Sequence, residues 1–261
     1  MVFESMKAKL SIIKWIRKVT LTILILLIVL SGVFIWWGSH PLEAMPEAIA
    51  AMESDQNIEV SSGDWIVFNP RKETHRLGII IYPGGRIDPI AYAPLAKKFA
   101  TGGDLVIIPK MPLNLAVFGI KIADEIINAY PEIQNWVIGG HSLGGAMAVE
   151  YVSANPSAVD GLFLWASYFA AKRNLQDHAK LECLTIYGTM DSDLEKIRAS
   201  RKRLPSITMW HEIEGGNHAQ FGWYGKQHGD GSAIITREVQ QEQVFEQTSR
   251  FLNLVRSNSL D

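Results

Sequence analysis

The chain holds one cysteine, Cys183, among 261 residues. A lone cysteine rules out an intramolecular disulfide in any compartment and argues against a cysteine-based zinc site. A dominant charge is missing too: 25 basic and 27 acidic residues leave a formal charge of −2. Internal repeats and low-complexity tracts are lacking. The composition, 48% hydrophobic and 20% charged, excludes wholesale disorder. No G-x-G-x-x-G opens a helix after the first long apolar strand, which argues against a dinucleotide fold. No lysine follows the Gly84-Gly85 turn in P-loop spacing, which argues against a phosphate cradle.

The near-neutral average hides an asymmetry. Residues 1–40 carry Lys7, Lys9, Lys14, Arg17 and Lys18 against Glu4, which leaves 20 basic and 26 acidic residues for the rest. An acidic body has no general attraction for nucleic acid, and none is expected as a partner. From Val19 to Trp37 the chain carries no charge at all. About 19 residues at roughly 1.5 Å each make about 28 Å, close to a bilayer core. The expectation is one N-terminal transmembrane anchor, with Trp15, Trp36 and Trp37 at the interfaces. A cleaved signal peptide and a buried core helix are the alternatives. The positive-inside rule places residues 1–18 in the cytoplasm and everything after about residue 40 on the other side. The chain therefore divides into a basic segment 1–18, an anchor 19–37, a polar tether 38–57 and a body 58–261.

Within the body, apolar runs alternate with amphipathic ones. Strands are expected near 58–60, 64–68, 77–82, 105–108, 136–138, 162–165, 184–187 and 207–213. Helices are expected over 91–100, 117–130, 143–154, 194–203 and 234–255. Leu77 to Tyr82 is apolar throughout, as in a strand buried on both faces. The alternation implies an α/β fold, a mostly parallel sheet with helices on both faces.

The strongest chemical signal is Gly140-His141-Ser142-Leu143-Gly144, between an expected strand and an expected helix. A serine nucleophile on a strained strand-to-helix turn needs small residues two before and two after it, and Gly140 and Gly144 supply them. The turn would expose Ser142 and set the Leu143 N–H at a helix N-terminus, where negative charge is stabilised. Serine needs a base and an acid that orients it, in the chain order Ser, Asp, His for such an architecture. Asp191 leaves the end of a strand, at the sheet edge that carries Ser142. Asp193 is its rival and the better helix cap. His218 tips the loop Glu214-Gly215-Gly216-Asn217-His218 and is the expected base. His75, His178, His211 and His228 have blander positions, and His141, at the variable position of the turn, reads as a packing residue or as one that supports the reacting groups from behind. In Tyr82-Pro83-Gly84-Gly85-Arg86 a backbone N–H could face a reacting carbonyl. Gly85 is the expected donor, paired with Leu143, with Arg86 as the alternative register.

These residues resemble the alpha/beta-hydrolase superfamily, in its small lid-less, dienelactone-hydrolase-like bacterial group. The likeness rests on IIIYPGGRIDPIAYAPLA (79–96), VIIPKMPLNLAVF (106–118), GGHSLGG (139–145), IYGTMDSD (186–193), EGGNHAQFGWYG (214–225) and GDGSAIITREVQQEQ (229–243). Dienelactone hydrolases proper use a cysteine nucleophile, and here Ser142 stands in that place, so their substrate does not carry over. The resemblance implies an alpha/beta-hydrolase fold and hydrolysis of a carboxylic ester or related acyl compound through an acyl-enzyme, with no metal or organic cofactor. Acyl transfer by the same triad and an inactive membrane-tethered scaffold are the alternatives. Ser167 to Lys180 is too short for a helical lid, which implies an open site for small-molecule or lipid-derived esters. Phe169, Phe221, Trp223 and Tyr224 could line an acyl pocket or be core and rim aromatics.

Overall fold

A computed structural model describes residues 2–71, 77–170 and 173–258. It separates into two compact units, 1–40 and 41–261. The first is a single helix, α1 (Val2–Gly38). Its stretch Ile13–Gly38 is long and apolar enough to cross a membrane, and none of its apolar window is buried, unlike a core helix.

In the second unit a short helix, α2 (Pro46–Ala50), precedes strands β1 (Ile58–Ser62), β2 (Trp65–Pro70) and β3 (Gly78–Tyr82). Helix α3 (Ala93–Thr101) leads to β4 (Leu105–Pro109), and α4 (Ile122–Ala129) leads to β5 (Trp136–His141). Then come α5 (Leu143–Ala154), β6 (Gly161–Trp165), β7 (Glu182–Gly188), α6 (Leu194–Ala199), β8 (Met209–Ile213) and α7 (Arg237–Asn258). The sheet order is β1-β2-β4-β3-β5-β6-β7-β8. β1 and β2 join antiparallel, and every pairing from β4 to β8 is parallel.

The sequence alternation explains the two layers. Along β3, Ile79 and Ile81 face one core, with Leu95 and Phe99 of α3 and Phe251 of α7. Ile80 and Tyr82 face the other, with Ile126 of α4 and Tyr151 of α5. A strand buried on both faces must be apolar at every position, and Gly78 to Tyr82 are all buried.

Three expectations need correcting. The helix expected over 117–130 is a 3₁₀ turn, Ala116–Phe118, followed by α4. Gly119 separates them at φ −131, where an added Cβ would lie 2.7 Å from both Ile122 Cδ1 and Met111 Sδ. The last helix begins at Arg237 instead of Ile234: residues 234 and 235 form a bend, with the Ile234 N–H on the Gly215 carbonyl at 2.9 Å, and the Thr236 carbonyl accepts Gln240 N–H at 3.1 Å at the start of the helix. Residues 41–57, expected as a polar tether, are packed onto the body. Leu42 pairs with Ile87, Ala44 pairs with Tyr224, and Ala48 of α2 is buried.

Candidate active site

β5 delivers the chain to Ser142, which sits at φ 54, ψ −121. A non-glycine residue there is strained, and such strain persists only where the surroundings hold it. They do so on both sides. The Ser142 N–H donates to the Trp165 carbonyl at 3.0 Å, and its carbonyl accepts from Ala146 N–H at 3.1 Å. The same carbonyl accepts the Ser167 hydroxyl at 2.7 Å. The crossing is so tight that a Cβ on Gly140 would lie 2.3 Å from the Tyr82 carbonyl oxygen, and one on Gly144 2.1 Å from it. The sequence expectation of small residues at these two places thus has a steric cause.

The expected acid and base, Asp191 and His218, come from neighbouring loops at the same sheet edge. Asp191 follows β7, and its Oδ2 lies 3.0 Å from His218 Nδ1, with both side chains almost fully buried. Its other oxygen accepts the Asp193 N–H at 2.8 Å. Asp193 is not the partner of His218, nor does its side chain cap α6; it pairs with exposed Lys196 at 2.6 Å. Burial works against charge on His218, but the Asp191 hydrogen bond and the charges of Asp191, Asp230 and Asp193 outweigh it, so its pKa lies above 6.5. His218 Nε2 is buried and has no hydrogen-bond partner among the described residues. It is not hydrogen-bonded to Ser142; in unliganded sites such a bond is commonly long.

The His218 loop is held by groups that the sequence reading did not single out. Asp230 accepts the backbone N–H of His218 at 3.2 Å and of Ala219 at 2.8 Å. Burial pushes the Asp230 carboxyl up, against the pull of those two amides. Gln240 of α7 is fully buried and clamps Asn217 from both sides, accepting its N–H at 3.0 Å and donating to its carbonyl at 2.8 Å.

At the Gly84-Gly85-Arg86 turn the amides divide. Gly84 N–H donates to Tyr92 Oη at 3.0 Å. Arg86 N–H, in a left-handed conformation at φ 56, donates to the Asn114 carbonyl at 2.7 Å. The Gly85 N–H makes no hydrogen bond to the described residues. Gly85 also abuts the strand-to-helix turn at Ser142 (the nucleophile elbow), since its added Cβ would sit 3.1 Å from Leu143 Cδ2. Leu143 opens α5, so its own N–H has no intrahelical acceptor.

His141 is fully buried. Its ring lies 4.6 Å from that of His218 and stacks on Phe221 at 5.8 Å. Burial, reinforced by His218, holds its pKa well below 6.5. Phe221 and Tyr224 are completely buried around His141, so they belong to the core and not to an acyl pocket. His211 meets Gln243 instead of the site. His75 lies outside the described residues. Among the described residues no group of three or more His, Cys, Asp or Glu could hold a metal ion, and between β6 and β7 they form no helix that could act as a lid.

The sequence pattern of the Alpha/beta hydrolase family matches residues 78–242. The chain belongs to that family. No curated protein matches it. Its fold resembles a ferulic acid esterase from Streptomyces cinnamoneus, with 16% identity and a TM-score of 0.55, over 70% of this chain and 68% of that one. It also resembles esterase B from Lactobacillus rhamnosis, with 11% identity and a TM-score of 0.56, over 82% and 91%. A third is the alpha/beta hydrolase enzyme MGS-M1 from a Medee basin deep-sea metagenome library, with 14% identity and a TM-score of 0.54, over 78% and 100%. At these identities the likeness is one of fold, and function rests on the site.

Proposed function

We propose that this alpha/beta hydrolase is a serine esterase that cleaves carboxylic esters through an acyl-enzyme. The observation that carries the reading is the buried Asp191–His218 pair at 3.0 Å, presented at the sheet edge where strained Ser142 turns into α5. Asp191 holds His218 with its proton on Nδ1 and leaves Nε2 free to act as a base. As Ser142 Oγ attacks the acyl carbon, its proton passes to Nε2. The Gly85 and Leu143 amides receive the oxyanion. The tetrahedral intermediate then collapses, and the protonated His218 gives its proton to the departing alcohol. Water, deprotonated by the same nitrogen, attacks the acyl-enzyme; collapse returns the acid, and the proton goes back to Ser142.

We further read 19–37 as an uncleaved anchor, with residues 1–18 cytoplasmic and the body beyond the membrane. The chain joins the body beside the oxyanion turn: Leu42 N–H donates to the Arg86 carbonyl at 2.6 Å, and Asp88 N–H donates to the Leu42 carbonyl at 3.0 Å. Val117 and Phe118, on the loop that supports this turn through Asn114, are about half exposed. Apolar groups beside the site suit small or lipid-derived acyl esters.

The test uses the full chain in detergent beside its Ser142→Ala variant, against p-nitrophenyl esters from acetate to palmitate. Hydrolysis that falls by several orders of magnitude in the variant is the expected result. An unchanged rate would overturn the assignment of Ser142. No hydrolysis and no fluorophosphonate labelling by the unaltered protein would overturn the enzyme reading.

A further inference from the structure

Two buried polar side chains, Tyr92 and His141, belong to neither the proposed triad nor the oxyanion donors. Their hydrogen bonds form one chain that starts at the Gly84 backbone. The Gly84 N–H can only donate, so Tyr92 Oη accepts from it at 3.0 Å. The one hydrogen of the phenol then goes to His141 Nδ1, 2.8 Å away. With the phenol donating, His141 Nδ1 accepts and the neutral ring carries its hydrogen on Nε2, a buried atom with no hydrogen-bond partner among the described residues. Full burial, the ring of His218 at 4.6 Å and the lack of any facing carboxylate partner for His141 among the described residues favour that neutral form.

The two ends of this chain of bonds have a specific place in the sequence. Gly84 immediately precedes Gly85, the proposed oxyanion donor. His141 immediately precedes Ser142, the proposed nucleophile. We propose that Tyr92 and His141 form a strut that sets the distance between the oxyanion turn and the nucleophile elbow. This role rests on the esterase reading and adds to it two positioning residues, neither of which touches substrate.

The surroundings suit a strut better than simple packing. Tyr92 is 1% exposed and comes from a 3₁₀ turn, Pro89–Tyr92, whose start is fixed by the Asp88 side chain accepting Ile90 N–H at 2.9 Å. Gly84 sits so close that an added Cβ would lie 2.8 Å from His141 Nδ1 and 3.0 Å from Tyr92 Oη. On the other side, Phe221 stacks against the imidazole at an interplanar angle of 12°. The turn, the phenol and the imidazole therefore have little room to move independently. An error of about 1 Å in the placement of an oxyanion donor costs on the order of 10²-fold in rate.

The experiment compares Tyr92→Phe, His141→Leu and His141→Asn with the unaltered full chain in detergent, with sites counted by fluorophosphonate labelling. Asn Oδ1 stands near the place of Nδ1 and can accept the phenol hydrogen; Leu cannot. Tyr92→Phe and His141→Leu should each lower kcat by about 10- to 100-fold per labelled site, with KM changed less than about twofold. Affinity for a boronic acid that forms a tetrahedral adduct should fall in parallel. His141→Asn should recover most of the loss, and the Tyr92→Phe/His141→Leu double variant should be no slower than either single one. Equal kcat in Tyr92→Phe and the unaltered protein, or equal losses in His141→Asn and His141→Leu, would overturn the strut. Histidine ¹⁵N NMR of the unaltered chain provides a readout independent of variant folding. A neutral His141 with its hydrogen on Nε2 at neutral pH is expected, and a hydrogen on Nδ1 would overturn the proposal. An unaltered protein that hydrolyses no ester would instead overturn the esterase reading, and the role with it.

Discussion

His218 Nδ1 lies 3.0 Å from Asp191 Oδ2 although 27 residues separate them in the chain and both side chains are almost fully buried. A carboxylate so deeply placed is tolerated because both oxygens are used, one by the imidazole and the other by the Asp193 N–H. The same bond fixes which imidazole nitrogen is free. In the proposed mechanism the base is thus oriented in the folded protein, before any substrate arrives.

Asp191→Asn tests that orientation. An amide of the same shape keeps the volume but can present its NH₂ to His218 Nδ1, which then stabilises the wrong tautomer. Ester hydrolysis should fall about 10³- to 10⁴-fold, with KM little changed. Rates against one ester at saturating concentration, normalised to labelled sites, measure it. A loss under tenfold would remove Asp191 from the mechanism.

The direction of the His218 shift sets the pH profile. Its pKa in the folded protein lies above 6.5, because the surrounding carboxylates outweigh burial. Only the neutral ring can take the Ser142 proton, so the acid limb of kcat/KM should have its midpoint above pH 6.5. In Asp191→Asn the residual activity should show that limb moved to lower pH, since burial then acts with less opposition. The sign for stability is opposite. The charged pair contributes fully below about pH 6.5 and its contribution is lost as pH rises through the folded-state pKa. A midpoint at or below 6.5 in the unaltered protein would contradict the charge balance described for this site.

Most of this arrangement was legible in the residues. The glycine spacing around Ser142 and the apolar run Leu77 to Tyr82 each leave a short-range mark, because each is a demand of local sterics or of two-sided burial. The Tyr92 strut leaves none. Its hydroxyl meets an imidazole 49 residues away, while along the chain Tyr92 is one more apolar position in a helical pattern. Ser167 and Gln240 were equally silent, since their work is to bond a backbone 25 and 23 residues distant. The start of α7 is hidden in a related way: Ile234 and Ile235 fit a helical stripe, but the chain bends there, with the Ile234 N–H bonded to Gly215, 19 residues before it.

Gly144→Ala probes the tight crossing directly. The new methyl would fall 2.1 Å from the Tyr82 carbonyl oxygen and 2.4 Å from that of Pro83, both backbone atoms that cannot step aside as a side chain would. Destabilisation of about 1–3 kcal/mol or more is expected, with loss of activity as the elbow shifts. Gly63→Ala is the control, since its added Cβ meets nothing within 4 Å. That change should stay within about 0.5 kcal/mol. Thermal unfolding of the two variants side by side distinguishes them, and equal melting temperatures would refute the steric account.

The membrane reading can be argued from the body as well as from α1. Cleavage of a signal peptide near Ala44 would remove Leu42, whose backbone bonds to Arg86 and Asp88 tie the chain to the oxyanion turn. It would also free Ala44 or leave it as a terminus, although it pairs with Tyr224. A signal peptide that included part of the folded body would weaken the site it delivers. The mature protein should therefore retain residues 1–40, stay with membranes through alkaline carbonate washing and dissolve in detergent. If the basic residues of 1–18 stay in the cytoplasm, added protease should reach the body from the non-cytoplasmic side. Mass spectrometry that finds the chain beginning near Ala44 would refute the anchor. Protection of the body in intact cells, with digestion only after lysis, would reverse the orientation.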